Sequence, residues 1–136
     1  MTPTGVLETV LYAEDLAAAE AFYTDVLGFD LHSKAPGRHL FYRLDEQMLL
    51  IFNPTATERP GPAGSLPVPP HGARGPGHVC FRASAQQLNA WRARLEQKGV
   101  AIEADFEWPS GGRSIYLRDP AGNSVEFAEP RIWGLQ

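Results

Sequence analysis

The chain repeats itself, and the repeat restricts the possible folds more than any bulk property does. Val6–Tyr12 alternates along a strand-length stretch, and Asp15 then opens a helical pattern with Leu16, Ala19, Phe22, Tyr23, Val26 and Leu27 on one stripe, closed by Gly28. The second half restates this order. His78–Arg82 is the strand, Ser84 and Gln87 form a capping box, and Leu88, Trp91 and Leu95 line a helix closed by Gly99. Three strand-like pieces complete each half: Phe29–Ala35, His39–Leu44 and Gln47–Phe52 in the first, then Val100–Glu107, Arg113–Leu117 and Ser124–Ala128 in the second. Asp119-Pro-Ala-Gly-Asn123 is a turn sequence between the last two. Each half therefore reads β-α-β-β-β. Such a unit covers one face of its sheet with a helix and leaves the other bare, so two units are expected to turn their open faces toward a shared cleft. The predicted class is α+β, with tandem βαβββ modules forming a cupped, mostly antiparallel sheet and helices on the outside. A single domain is expected, with module one at 5–53, a connector at 54–76, module two at 77–130 and a tail at 131–136.

Between the modules, Pro54–Gly77 packs seven Pro and five Gly into 24 residues. Proline removes backbone donors and glycine loosens the chain, so neither a helix nor a central strand is expected there. The segment leaves module one at Phe52 and re-enters at His78, which places its ends at the cleft rim. Two readings stand: a mobile cover that brings Leu66, Val68 and Arg74 to a substrate, or a plain spacer.

With 136 residues the chain supports one real core. No apolar run approaches the roughly 18 residues of a membrane span, and the first residues lack the pattern of a secretory signal. A cytoplasmic protein without a membrane partner is expected. Twelve Lys and Arg against sixteen Asp and Glu leave no basic field for a phosphate backbone, so nucleic acid is not an expected partner. Cys80 is the single cysteine, which excludes an internal disulfide and a multi-thiolate zinc site. The acid excess is uneven: up to Asn53 there are three basic and eight acidic residues, most of the latter on the helix and turns, where a solvated surface explains them.

Strand alternation selects the residues that face the cleft. Val79 and Phe81 are expected under the second helix, which turns His78, Cys80 and Arg82 the other way. Leu7 and Leu11 take the helix-facing role in module one, leaving Glu8, Val10 and Tyr12 on the cleft side. Val125 and Phe127 look to the helix, leaving Ser124, Glu126 and Ala128 to the cleft. Counted back from the closing prolines, Leu50 holds in module one the place of Glu126. The four symmetric positions are thus Glu8, Leu50, His78 and Glu126. One histidine and two carboxylates on one concave face suit a divalent metal with open coordination positions; taken singly, each is also an ordinary strand or turn residue. Tyr12, Cys80, Arg82, Ser114, Tyr116 and Arg118 share the cleft parity and are candidate pocket residues. Arg113, after Gly111-Gly112, is a candidate for an anionic group or a solvated hairpin arginine. Trp108 and Trp133 bracket the last strands as candidate walls of a ligand site or of a dimer interface. His32, His39 and His71 have no companion at ligand spacing.

The run Glu8–Gly28, together with Gly77-His-Val-Cys-Phe81 and Asp119-Pro-Ala-Gly-Asn-Ser-Val-Glu126, resembles the vicinal oxygen chelate superfamily: glyoxalase I, bleomycin-resistance proteins, fosfomycin-resistance transferases and extradiol dioxygenases. The resemblance spans nearly the whole chain outside Pro54–Gly75. It implies paired βαβββ modules and a metal held at first and last strands, which maps onto Glu8, His78 and Glu126. Two departures narrow the chemistry. Glyoxalase I would carry a carboxylate at Leu50, and transferases and dioxygenases place His where Glu8 stands. The resemblance therefore implies a metal-dependent lyase, isomerase or related Lewis-acid enzyme on a small oxygenated metabolite or xenobiotic, with Zn, Mn, Ni, Co or Fe as the ion and Glu126 or Glu8 as the base. The alternatives are a metal-free drug-binding resistance protein and an extradiol dioxygenase. A homodimer is expected, because in this group a site commonly combines the first module of one chain with the second of its partner.

Overall fold

Apolar side chains at alternate positions draw the first half into a sheet: Leu11, Leu40, Tyr42, Leu49 and Ile51 all point to one side and are buried. The computed structural model describes residues 1–136 and comprises two compact units, Met1–Gly75 and Pro76–Gln136. Both follow the βαβββ order read from the sequence.

In the first unit the strands are β1 (Glu8–Tyr12), β2 (Asp30–Ala35), β3 (His39–Leu44) and β4 (Gln47–Phe52), in the spatial order β1-β4-β3-β2. β1 runs parallel to β4 and the other pairs are antiparallel. Helix α1 (Leu16–Glu20) starts where the Asp15 side chain accepts from the Ala18 amide at 3.0 Å. It continues as a π-helical stretch, Ala21–Val26, with the Leu27 amide donating to the Phe22 carbonyl. Within it the adjacent Phe22 and Tyr23 are both buried in the core. Tyr23 packs on Tyr42 with ring centroids 5.9 Å apart, and the Tyr42 hydroxyl lies 2.9 Å from Thr24 Oγ1.

The second unit consists of β5 (His78–Arg82), α3 (Ala85–Gln97), β6 (Ala104–Glu107), β7 (Arg113–Arg118), β8 (Ser124–Ala128) and a 3₁₀ turn, Pro130–Trp133. Its order, β5-β8-β7-β6, reproduces that of the first, again with the outer pair β5 and β8 parallel. Ser84 and Gln87 form the expected reciprocal capping box. Leu88 and Leu95 are fully buried, and Trp91 stacks on Phe127 at 4.3 Å. Asn123 ties the two ends of the unit, taking the Gly77 amide on Oδ1 at 2.8 Å while its own amide donates to Asp119.

Three local expectations need correction. The Val100–Glu107 strand is only Ala104–Glu107. Leu7 lies before β1 and is exposed, so Leu11 alone fills that role in β1. The connector begins with a one-turn helix, α2 (Pro54–Thr57), because Asn53 accepts from the Thr55 amide and a proline in the first turn forfeits no helical bond.

Candidate functional site on the open sheet faces

The registers of the two sheets coincide position by position. Glu8 pairs with Met48 and Val10 with Leu50; His78 pairs with Ser124 and Cys80 with Glu126. On the next strand Phe41 lies beside Leu50, as Tyr116 lies beside Glu126. The equivalence of Glu8 with His78, and of Leu50 with Glu126, is therefore built into the backbone pairing.

In the second unit this register creates a polar cluster. Glu126 is 5% exposed, between Cys80 and Tyr116 on the neighbouring strands. Its Oε2 is 3.2 Å from His78 Nε2, and its Oε1 is buried without a hydrogen-bond partner. His78 Nδ1 lies 3.0 Å from the Ser124 carbonyl, which can only accept, so Nδ1 carries the proton. In the neutral ring Nε2 then presents a lone pair to a carboxylate that also has only lone pairs to offer. Two such atoms at 3.2 Å call for a positive centre, either a second proton on the imidazole or a cation. The backbone bond at Nδ1 is the arrangement that orients a metal-ligating imidazole. These two residues thus fit a divalent cation, and the orphaned Oε1 adds a free donor atom. Neither unit by itself gathers three His, Cys, Asp or Glu side chains suited to a metal.

The surroundings are tuned by the same carboxylate. Desolvation first, then Glu126, push the Cys80 thiol up to about 12, so at neutral pH it is a thiol and not a nucleophilic thiolate. Tyr116 is likewise raised to about 12, by desolvation and then by Glu126, and stays a protonated phenol. Its ring is nearly parallel to His78 at 6.2 Å and to Phe106 at 5.9 Å, forming an aromatic row across the sheet. Trp108 continues this row, edge-on to Phe106 at 4.9 Å, with its indole N–H donating to the buried Ser114 hydroxyl at 2.8 Å.

The remaining candidates separate by face. Arg82 shares the parity of His78 and reaches the Gln136 carbonyl. Arg118 is held by Glu103 at 2.8 Å. Arg113 corrects the sequence expectation: it points to the helix side, where Asp105 takes two of its donors at 2.7 Å and Asn89 of α3 a third. Its parity with Ile115 and Leu117, opposite to Tyr116, is the signal that assigns it there. Arg113 and then Arg92 hold the Asp105 carboxyl down to about 2. In the first unit Glu8 is exposed at the start of β1, and Tyr12 bonds His71 Nδ1 at 2.6 Å. His71 thus has a hydrogen-bond partner 59 positions away that no local spacing reveals. Arg74, expected near a substrate, is bound to Glu58 at 2.7 Å and to Glu14 at 3.3 Å.

Paired βαβββ units, each closing its first strand against its last, define a duplicated α+β class. The chain belongs to the Glyoxalase/Bleomycin resistance protein/Dioxygenase superfamily, whose family model matches residues 5–127. The crystal structure of a lactoylglutathione lyase from Agrobacterium tumefaciens is 45% identical, with 99% of this chain and 100% of that one covered and a TM-score of 0.92. The antibiotic binding protein TnmS3 from Streptomyces sp. CB03234 is 27% identical over 96% of this chain and 98% of its own, with a TM-score of 0.67. Virulence protein STM3117 from Salmonella typhimurium is 25% identical over 95% and 98%, at 0.69. No curated protein matches the sequence. No helix is long and apolar enough to cross a membrane.

Proposed function

We propose that the chain is a divalent-metal-dependent lyase or isomerase of the glyoxalase kind, acting on a small oxygenated molecule. One observation carries this reading: His78 Nε2 faces Glu126 Oε2 at 3.2 Å while Glu126 Oε1 stays buried without a partner. His78 and Glu126 would hold the ion with Glu8, the register equivalent of His78, as third ligand. One histidine with two carboxylates is a hard, anionic set that suits Zn, Mn, Ni or Co better than the two-histidine set of Fe(II) oxygenases. A bound ion of this type supplies Lewis-acid polarisation of substrate oxygens. The protein's own groups do the rest. The Ser124 carbonyl fixes the His78 tautomer, Glu126 or Glu8 accepts the proton that the substrate releases, and the Tyr116 phenol donates a hydrogen bond to a substrate oxygen. The 45% identical lactoylglutathione lyase supports the lyase assignment, and Leu50 stands where the resemblance to glyoxalase I calls for a carboxylate. The two units act as one functional domain, and the working form is a homodimer, checked by light scattering for a mass twice 14.9 kDa.

Metal analysis of the untagged protein after supplementation, alongside an assay interconverting lactoylglutathione with glutathione and methylglyoxal, tests the reading. About one equivalent of metal per chain and metal-dependent turnover of this or a related thioester or α-hydroxycarbonyl is expected. A second reading, ligand sequestration without turnover, draws on the aromatic row Phe106–Tyr116–His78 and on the antibiotic-binding relative. It prevails if the protein retains no metal and a planar drug quenches Trp108 fluorescence stoichiometrically.

A further inference from the structure

The first unit contains a cavity of about 430 Å³ between the β2–β3 turn and the connector. Its lining carries two cations, Arg38 and Arg59, and no carboxylate, in a chain whose net charge is -4. Neither arginine is neutralised. Arg38 lies over the Phe52 ring at 5.4 Å and bonds the His39 ring at 2.5 Å, an aromatic seat with no acid in it. Glu58, the acidic neighbour of Arg59, is taken instead by Arg74 at 2.7 Å. His71 stands in the same wall, its Nδ1 held by Tyr12 and its ring edge-on to Phe52 at 4.7 Å. With the Tyr12 hydroxyl donating, the His71 proton sits on Nε2, a third donor for an anion.

The wall is built, not draped. The His71 amide donates to the Thr57 carbonyl at 2.9 Å, doubling the connector back onto α2, and a Cβ on Gly72 would already touch Pro54 and Glu58 at 3.5 Å. Between these anchors, Leu66 and Val68 line the cavity and are 82% and 57% exposed. A pocket of this size, cationic at one part of its wall and apolar at another, matches a small organic anion.

We propose that this pocket binds a small organic oxyanion, a carboxylate or a phosphate monoester, with Arg38 and Arg59 on the charged group and Leu66 and Val68 on the body. All its residues lie within Met1–Gly75, and it rests on none of the metal ligands proposed above. The planar guanidinium forks match either oxyanion, and the organic part screens the leucine and valine from water.

The test is calorimetric titration of the full-length, metal-free protein with benzoate, phenyl phosphate and neutral benzamide at low ionic strength. Saturable binding of one or both anions, and none of benzamide, is expected, and the preferred anion identifies the source class. Arg59→Gln, at an exposed position where folding is not at stake, should weaken binding about tenfold, with Arg38→Gln acting in the same direction. Arg43→Gln, on the exposed part of β3, and His78→Ala should bind as the parent does, which separates this site from the metal reading. Absence of saturable anion binding, equal binding of benzamide, or unchanged affinity in Arg59→Gln would each overturn the proposal.

Discussion

The open faces of the two sheets have the same register and opposite chemistry. Where the second unit sets Cys80, Glu126 and Tyr116 side by side, the first sets Val10, Leu50 and Phe41. Leu50 is 7% exposed and Glu126 5%, so both central positions are withdrawn from water. An apolar side chain there is simply buried, whereas a carboxylate there demands a positive partner. Duplication fixes where a site can form; side-chain chemistry decides which half uses the position.

The sharpest way to break this comparison is to erase the polar half. Glu126→Gln keeps shape and removes the charge, and should lower turnover by about a thousandfold and abolish retained metal, read by steady-state kinetics and elemental analysis. The reciprocal change writes a carboxylate into the apolar half. Leu50→Glu should cost about 3 kcal/mol in urea unfolding, because Val10 and Phe41 offer it no partner. If added Zn restores that stability, Leu50 occupies a cation-accessible position and the halves are less different than their sequences suggest. His78→Ala should weaken metal binding by about a hundredfold, measured with a competing chelator, while leaving the unfolding midpoint in place, since the side chain is half exposed.

Acid separates the units more gently. The Asp105 carboxyl of the second unit is held at about 2, below the roughly 3.9 of an unfolded aspartate, so the folded state binds its proton less readily. Its stabilisation is complete above about pH 4 and is lost as pH falls toward 2. Asp105→Asn should remove about 1–2 kcal/mol at pH 7 and flatten the acid limb of stability against pH. The smallest effect lies at the helix starts. Ser84→Ala loses the reciprocal bonds with Gln87 and should cost about 1 kcal/mol, visible as a small shift in the thermal midpoint.

Much of the architecture was legible because alternation and helix punctuation are local. Glu8 with His78 and Leu50 with Glu126 emerged from spacing, since a parallel pair between first and last strands preserves the count along each strand. The π-helical turn was not legible: consecutive Phe22 and Tyr23 read as an ordinary broad stripe. The fate of Arg113 was readable from its parity but was obscured by the preceding glycines. His71 and the arginine pocket remained hidden because a proline-rich segment carries no periodicity from which a distant contact can be inferred. Its ties to Tyr12 and Thr57 exist only once the chain has folded back.

In both units the first strand closes in parallel against the last. Neither can complete its sheet by local hairpins; His78 must wait for Ser124 and its neighbours, 46 positions further along. On a ribosome, Glu8–Tyr12 finds its partner only after β4 has emerged, and His78–Arg82 stays without its neighbour until Ser124–Ala128 has been made. Closing each module is therefore slowed by loop closure, with one sheet edge exposed meanwhile. A chain truncated within Ser124–Ala128 would lose both Glu126 and the strand that receives β5, leaving an intact first module joined to an unclosed second one.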